Sequence, residues 1–305
     1  MRWLRRLTLG LAFLLTACAS IGPPPDPGPV RVDPTRLVMA DGESLALYTW
    51  PAEERPRAIL LALHGFGDAA HLTFAPAARA WTERGITTYA YDQRGFGQNP
   101  SRRDWPGPAR LVADLRDAAL ALRARHPDVP LVVIGHSMGG GVALSAADGL
   151  PADGVVLAAP AIAGQAEINP FLRIGAFALR TLLPERRFTG DGVVSLLPTD
   201  NIEMLRFVAR HPLSFGDPTG RELLGLVLLS DRAAATAPRV TLPTLTLIGA
   251  RDEVIRPAAI SRIQETIGGD ARVLSYPDGW HWLFRDLQAP RVWSDVADFA
   301  LSFED

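Results

Sequence analysis

LVVIGHSMGGGVALSAA, residues 131–147, decides the fold. Leu131 to Ile134 reads as a short buried strand, and the Gly-rich run after it opens onto an Ala-rich helix. Between them stands Gly135-His136-Ser137-Met138-Gly139, a Gly-x-Ser-x-Gly motif in the strand-turn-helix setting that gives the pattern its meaning. A serine on so sharp a turn holds its hydroxyl above the sheet, and the flanking glycines have no Cβ to collide with the adjoining strand and helix. The hydroxyl also lies beside a helix N-terminus, where backbone N–H groups favour a developing negative charge. Ser137 is therefore the candidate nucleophile.

A serine hydroxyl needs an adjacent base, and the base needs a carboxylate to orient it. In this setting both are expected downstream of the serine. The strand TLTLIG, residues 244–249, runs on through Ala250 and Arg251 to Asp252, placing Asp252 just past a strand's carboxyl end, where open α/β sheets carry their sites. Asp252 is the expected acid, Glu253 the second choice, and Asp278 reads as a shaper of its turn. His281, in Asp278-Gly279-Trp280-His281-Trp282, is the only histidine after His211 and is the expected base. His71 and His126 read as solvated helix-end residues, and His136 as a packing or loop-orienting one. An oxyanion hole needs two preset donors. The strand AILLAL runs into His64-Gly65-Phe66-Gly67, so the Phe66 and Met138 N–H groups are the expected pair, with the His64 side chain bracing the loop. Asp92 to Gly97 reads as a structural loop.

The same rhythm extends along the chain. Leu37 to Trp50 alternates around Asp41-Gly42, a hairpin signal. Helices are expected at about Phe74 to Arg84, Leu111 to Arg125 and Pro290 to Phe303. Short apolar runs at Ala58 to Leu63, Thr87 to Tyr91, Leu131 to Ile134, Val155 to Ala158, Thr244 to Ile248 and Arg272 to Tyr276 read as buried parallel strands, since a sheet covered by helices on both faces favours unbroken hydrophobicity. The fold class is α/β, an open, mostly parallel central sheet flanked by helices. Residues 161–238 interrupt the rhythm with helical patches and turn residues, and are expected to form an inserted helical cap. Within it, Phe171, Ile174, Ala178, Leu179 and Leu182 recur at near-helical spacing, with Arg173 and Arg180 among them and Arg186 and Arg187 nearby. Such a helix either packs its apolar face on the core or lies in a membrane interface.

Of 305 residues, 48% are hydrophobic and 21% charged, ordinary values for one large globular body. The net charge of −2 leaves no basic surplus for phosphates, so a nucleic-acid partner is not expected. The single cysteine, Cys18, excludes an intrachain disulfide and a multi-thiolate metal site. Arg2, Arg5 and Arg6 precede an apolar run from Leu7 to Ala17 that is too short to span a bilayer and suits an export signal. The run closes in Leu15-Thr16-Ala17-Cys18, which resembles the bacterial lipobox. That resemblance implies a signal peptide over residues 1–17 and a lipid anchor on Cys18. Residues 18–34 are Pro-rich and read as a stiff tether, reaching on the order of 45 Å at most. The globular body then occupies residues 35–303, and the expected location is the bacterial cell envelope. Ala19 after the cysteine resembles lipoproteins of the outer membrane more than of the inner.

With HGFGD at residues 64–68, YDQRGFG at 91–97, GHSMGG at 135–140 and the contexts of Asp252 and His281, the chain resembles the α/β-hydrolase family over about residues 37–303. It is most similar to the monoacylglycerol lipase and lysophospholipase branch, also grouped as serine aminopeptidase-like hydrolases, and departs from it at Phe66 and at the two Trp flanking His281. The resemblance implies a cap that covers the site, an acyl-serine mechanism without metal or organic cofactor, and lipid esters as substrates. A general carboxylesterase or peptidase of the same fold, and a non-catalytic lipid-binding protein, are the alternatives.

Overall fold

The computed structural model describes residues 28–164, 169–189 and 196–304. Cys18 and the expected export signal lie outside the described residues, as does most of the Pro-rich tether. Among the described residues one sheet has nine strands, in the order β1-β2-β3-β5-β4-β6-β7-β8-β9. Strands β1 (Arg31–Val32), β2 (Arg36–Val38) and β3 (Ser44–Trp50) pair antiparallel, and β3 pairs antiparallel with β5 (Ile86–Tyr91). The rest is parallel: β4 (Ala58–Leu63), β6 (Leu131–His136), β7 (Gly154–Ala158), β8 (Thr244–Gly249) and β9 (Ala271–Tyr276).

Strand β4 shows why these runs are unbroken apolar sequence. Ile59, Leu61 and Leu63 enter one core, while Ala58, Leu60 and Ala62 enter the other on the opposite face. Helices α1 (Ala70–Thr82) and α8 (Ala289–Leu301) cover the second face through Phe74, Trp81, Val292 and Val296. Helices α2 (Pro108–Arg125) and α3 (Met138–Ala146) cover the first through Leu111, Leu115 and Val142. Helix α1 begins at Ala70 rather than near Phe74, because the Ala70 N–H donates to Asp92 Oδ1 at 2.8 Å. A cap supplied from another loop leaves no mark in the helix's own sequence.

Two expectations are corrected. Among the described residues strand β9 pairs with β8 alone, and Val273 and Leu274 are exposed at the sheet edge, so the run is not a buried strand. At the other edge, the end of the expected tether lies on the body: Arg31 pairs with Val38, and Val30 and Val32 pack against the core. Pro29 and Pro34 are compatible with an outermost strand, which needs only one side of its backbone for the ladder.

The expected cap includes α4 (Pro170–Leu182), α5 (Ile202–Arg210) and α6 (Gly220–Thr236). Helix α6 starts with a capping box between Thr219 and Glu222 and ends within the body, where Leu229 and Ala233 join the core beside α3. One helix thus belongs to both cap and body. Truncating the buried Leu229 to Ala should cost about 2–5 kcal/mol of unfolding free energy, read as a lowered urea midpoint.

Candidate active site

Ser137 stands between β6 and α3 at φ 53 and ψ −115, a conformation that costs a residue with a side chain on the order of 1–3 kcal/mol. The surroundings hold it there. Its N–H donates to the Ala158 carbonyl at 3.0 Å, and its own carbonyl accepts from Ala161 at 2.9 Å and Gly141 at 3.1 Å. At Gly139 the chain passes so close to β4 that a Cβ would fall 2.4 Å from the Leu63 carbonyl oxygen.

Asp252 lies past the end of β8 and His281 past the end of β9, and the fold brings both to Ser137. His281 Nδ1 is 2.8 Å from Asp252 Oδ2, and His281 Nε2 is 3.0 Å from Ser137 Oγ. The carboxylate can only accept, so Nδ1 carries the hydrogen and Nε2 is left to accept from the serine hydroxyl. Asp252 Oδ1 accepts from the Val254 and Ile255 N–H groups, each at 2.8 Å, which fixes the carboxylate from behind. Glu253 turns away to accept from Leu197 N–H, and Asp278 pairs with Arg251. The arrangement can take the proton from Ser137 as its oxygen attacks a carbonyl carbon.

The remaining histidines have other partners. His136 lies beneath the site, its Nε2–H donating to the His281 carbonyl at 2.9 Å. Burial pushes the His136 imidazole down to about 3, so it stays neutral and brings no charge to His281, whose ring centroid is 5.2 Å away. His71 packs against Tyr48 and Trp50, His126 meets the Tyr89 hydroxyl, and His211 Nδ1 accepts from Leu213.

Phe66 and Met138 line the same cavity as Ser137 and His281. Met138 is the first residue of α3, where an N–H has no partner within the helix. The loop bearing Phe66 is held on two sides. His64 Nδ1–H donates to Gly65 O at 2.7 Å while its Nε2 accepts from Gln93 N–H at 2.9 Å, and Gln93 Nε2 donates back to His64 O. From the cap, Phe215 N–H donates to Gly67 O at 2.8 Å; Gly67 has φ +67, and a Cβ there would meet the Phe215 carbonyl oxygen at 1.9 Å.

Two neighbours went unrecognised in the sequence. Asp68, in the site cavity, forms a buried ion pair with Arg285 at 2.5 Å, and the Arg285 guanidinium lies 4.1 Å over the Trp282 ring. Burial works against the Asp68 charge, but the Arg285 guanidinium outweighs it and holds the carboxyl below the usual range. Asp286 accepts from Trp280 N–H just before the expected base. The signal for both was the Arg285-Asp286 dipeptide, a charged pair in an otherwise apolar run after His281. Above the site opens a cavity of about 770 Å³, with Leu226, Val227, Val254, Ile255, Ala259 and Trp282 among its walls.

The sequence profile of the family described as "Serine aminopeptidase, S33" matches residues 54–288. A monoacylglycerol lipase of Mycolicibacterium smegmatis is 28% identical over 273 residues, 86% of this chain and 94% of that protein. A monoglyceride lipase of Rattus norvegicus is 27% identical over 279 residues, 87% of this chain and 88% of that protein. A soluble variant of the Saccharomyces cerevisiae monoglyceride lipase, solved with a substrate analog, has a TM-score of 0.73 at 20% identity, covering 92% of this chain and 98% of that one. At that identity the likeness concerns the fold.

Asp252→Asn keeps the size of the side chain but allows the wrong His281 tautomer. Its kcat on a soluble ester should fall by roughly 10⁴, the loss expected when an orienting carboxylate becomes an amide. Steady-state kinetics with a matched thermal unfolding curve would check it.

Proposed function

The chain belongs to the "Serine aminopeptidase, S33" family of α/β-hydrolases, and from that membership we propose that it hydrolyses single-chain lipid esters, monoacylglycerols or lysophospholipids. It is a serine ester hydrolase. The observation that carries the lipid reading is the apolar cavity of about 770 Å³ above Ser137, which suits one long acyl chain better than a small polar acid.

In this reading His281 Nε2 takes the Ser137 proton as Oγ bonds to the ester carbonyl carbon. The Phe66 and Met138 N–H groups receive the negative charge that grows on the carbonyl oxygen. The bond to the alcohol breaks, and His281 returns the proton to the leaving alcohol oxygen. A water then gives a proton to His281 as its oxygen bonds to the acyl carbon, the bond from that carbon to Ser137 Oγ breaks to release the acid, and His281 returns the proton to Oγ. Asp252 holds the working tautomer throughout.

The outward face of α4 supports delivery from a lipid surface. Phe171, Ile174 and Phe177 are 82%, 65% and 62% exposed at helical spacing. Arg173, on the same helix, forms a two-pronged pair with Asp231 of α6, at 2.8 and 2.6 Å. Attachment through a lipid on Cys18 belongs to the same proposal and rests on the Leu15-Thr16-Ala17-Cys18 sequence.

Rates across p-nitrophenyl esters, monoacylglycerols and lysophospholipids of graded chain length should rise toward long single acyl chains. A preference for short acyl groups would make the protein a general carboxylesterase. Ser137→Ala should lose on the order of 10⁶ in kcat and all labelling by a fluorophosphonate probe. In cells, Cys18→Ser should move the protein from the membrane fraction to the soluble one, and an unchanged distribution would remove the anchor from the proposal.

A further inference from the structure

A short strap, residues 196–201, precedes α5 and touches the loops of both the expected acid and the expected base. Leu197 N–H donates to Glu253 Oε2 at 2.8 Å, beside Asp252. Trp282 N–H donates to Pro198 O at 2.8 Å, beside His281. Asn201 Nδ2 donates to Arg285 O, and Leu287 N–H donates to Asp200 Oδ1, both at 3.0 Å. In the middle is Asp286, almost fully buried. Its Oδ1 accepts from the buried Thr199 hydroxyl and its Oδ2 from Trp280 N–H, both at 2.7 Å.

We propose that Asp286 is a positioning residue for the base: its carboxylate clamps the backbone just before His281 to the Thr199 strap, and so sets the reach of the imidazole to Ser137. The proposal rests on the reading of Ser137, His281 and Asp252 as the catalytic set. His281 has a backbone anchor on each side, Trp280 to Asp286 and Trp282 to Pro198, while its own carbonyl accepts from His136. Of the two flanking anchors, the first depends on a carboxylate and the second on backbone groups alone.

The charged groups facing Asp286 make its ionisation delicate. Asp200, on the strap, opposes its charge, and His281, on the base loop, favours it. Arg285, next along the chain, is bonded to Asp68. The small cavity bordering Asp286 is also lined by Pro76 of α1, Met204 of α5 and Trp293 of α8, none of which titrates. Burial therefore pushes the Asp286 carboxyl up to about 6, against the pull of its two donors. Below that pH the protonated carboxyl must itself donate, one charge-assisted bond is lost, and the clamp loosens. Protonation of Asp286 therefore lowers activity on the acid side.

The test measures kcat and KM on a water-soluble short-chain ester across the acid and neutral range, for the full chain, Asp286→Asn and Thr199→Val, with fluorophosphonate labelling in parallel. Asp286→Asn can accept from only one of the two donors, so kcat at neutral to alkaline pH should fall by about ten- to a hundredfold with KM little changed. The added step in log kcat that Asp286 protonation gives the parent near pH 6 should be absent from the Asp286→Asn profile. Thr199→Val removes a donor that favours the charged carboxyl, so the Asp286 step in the profile should move to higher pH. A Thr199→Val profile that superposes on the parent, or an Asp286→Asn enzyme with unchanged kcat, overturns the proposal. If Asp286→Asn does not fold, the Thr199→Val profile decides. A parent protein that neither labels nor turns over would overturn the hydrolase reading instead.

Discussion

The rest of the structure depends on one backbone conformation, that of Ser137. A residue with a Cβ is held at positive φ where a central strand must reverse into a helix, and the free energy of that strain has to come from the packing around it. The ends of β4 and β7 supply it. Ala158 accepts the Ser137 N–H, Ala161 donates to its carbonyl, and Leu63 lies against Gly139 with no space for a methyl group. These contacts exist only when three adjacent parallel strands stop at the same height, so the sheet order and the geometry of Ser137 are one requirement.

The two histidines packed together at this point have separate tasks. His136 is kept neutral by burial and uses its hydrogen on the His281 carbonyl, while Asp252 accepts from two backbone N–H groups and from His281. Arg285 is occupied by Asp68 on one side and stacks over Trp282 on the other, so its charge braces the pocket wall. An imidazolium formed at His281 therefore faces the Asp252 carboxylate and a neutral His136.

Much of this was legible in the sequence, and the division between what was and what was not is physical. The turn at Ser137 announces itself because glycines must flank it within a few residues. Asp252 and His281 follow from chain order and strand ends, and the structure places both within hydrogen-bond distance of their partners. Strands β4, β6, β7 and β8 are unbroken apolar runs because both their faces are covered. The edges were misread for the converse reason: β9 has the composition of an interior strand, yet among the described residues nothing pairs with its outer side. Asp68 with Arg285 and Thr199 with Asp286 join residues 217 and 87 positions apart, and such pairs have no period or spacing to betray them. Helix α6 was assigned wholly to the cap, since a helix that serves two layers looks the same in sequence as one that serves a single layer.

The hydrogen bond from Phe215 to Gly67 changes what kind of object the cap is. Caps on this fold are easily pictured as detachable lids that can be exchanged to alter substrate choice while the chemistry stays behind in the body. Here the segment around Phe215 is part of the wall against which the Phe66 loop is formed, with Arg103 lying 3.7 Å over the Phe215 ring and paired to Asp217. The natural seams for a graft therefore lie on either side of α4 and of α5 taken separately, and residues 196–201 and 211–218 travel with the body. In lineages that diversify by remodelling the lid, this segment should drift slowly even though it touches no reacting atom.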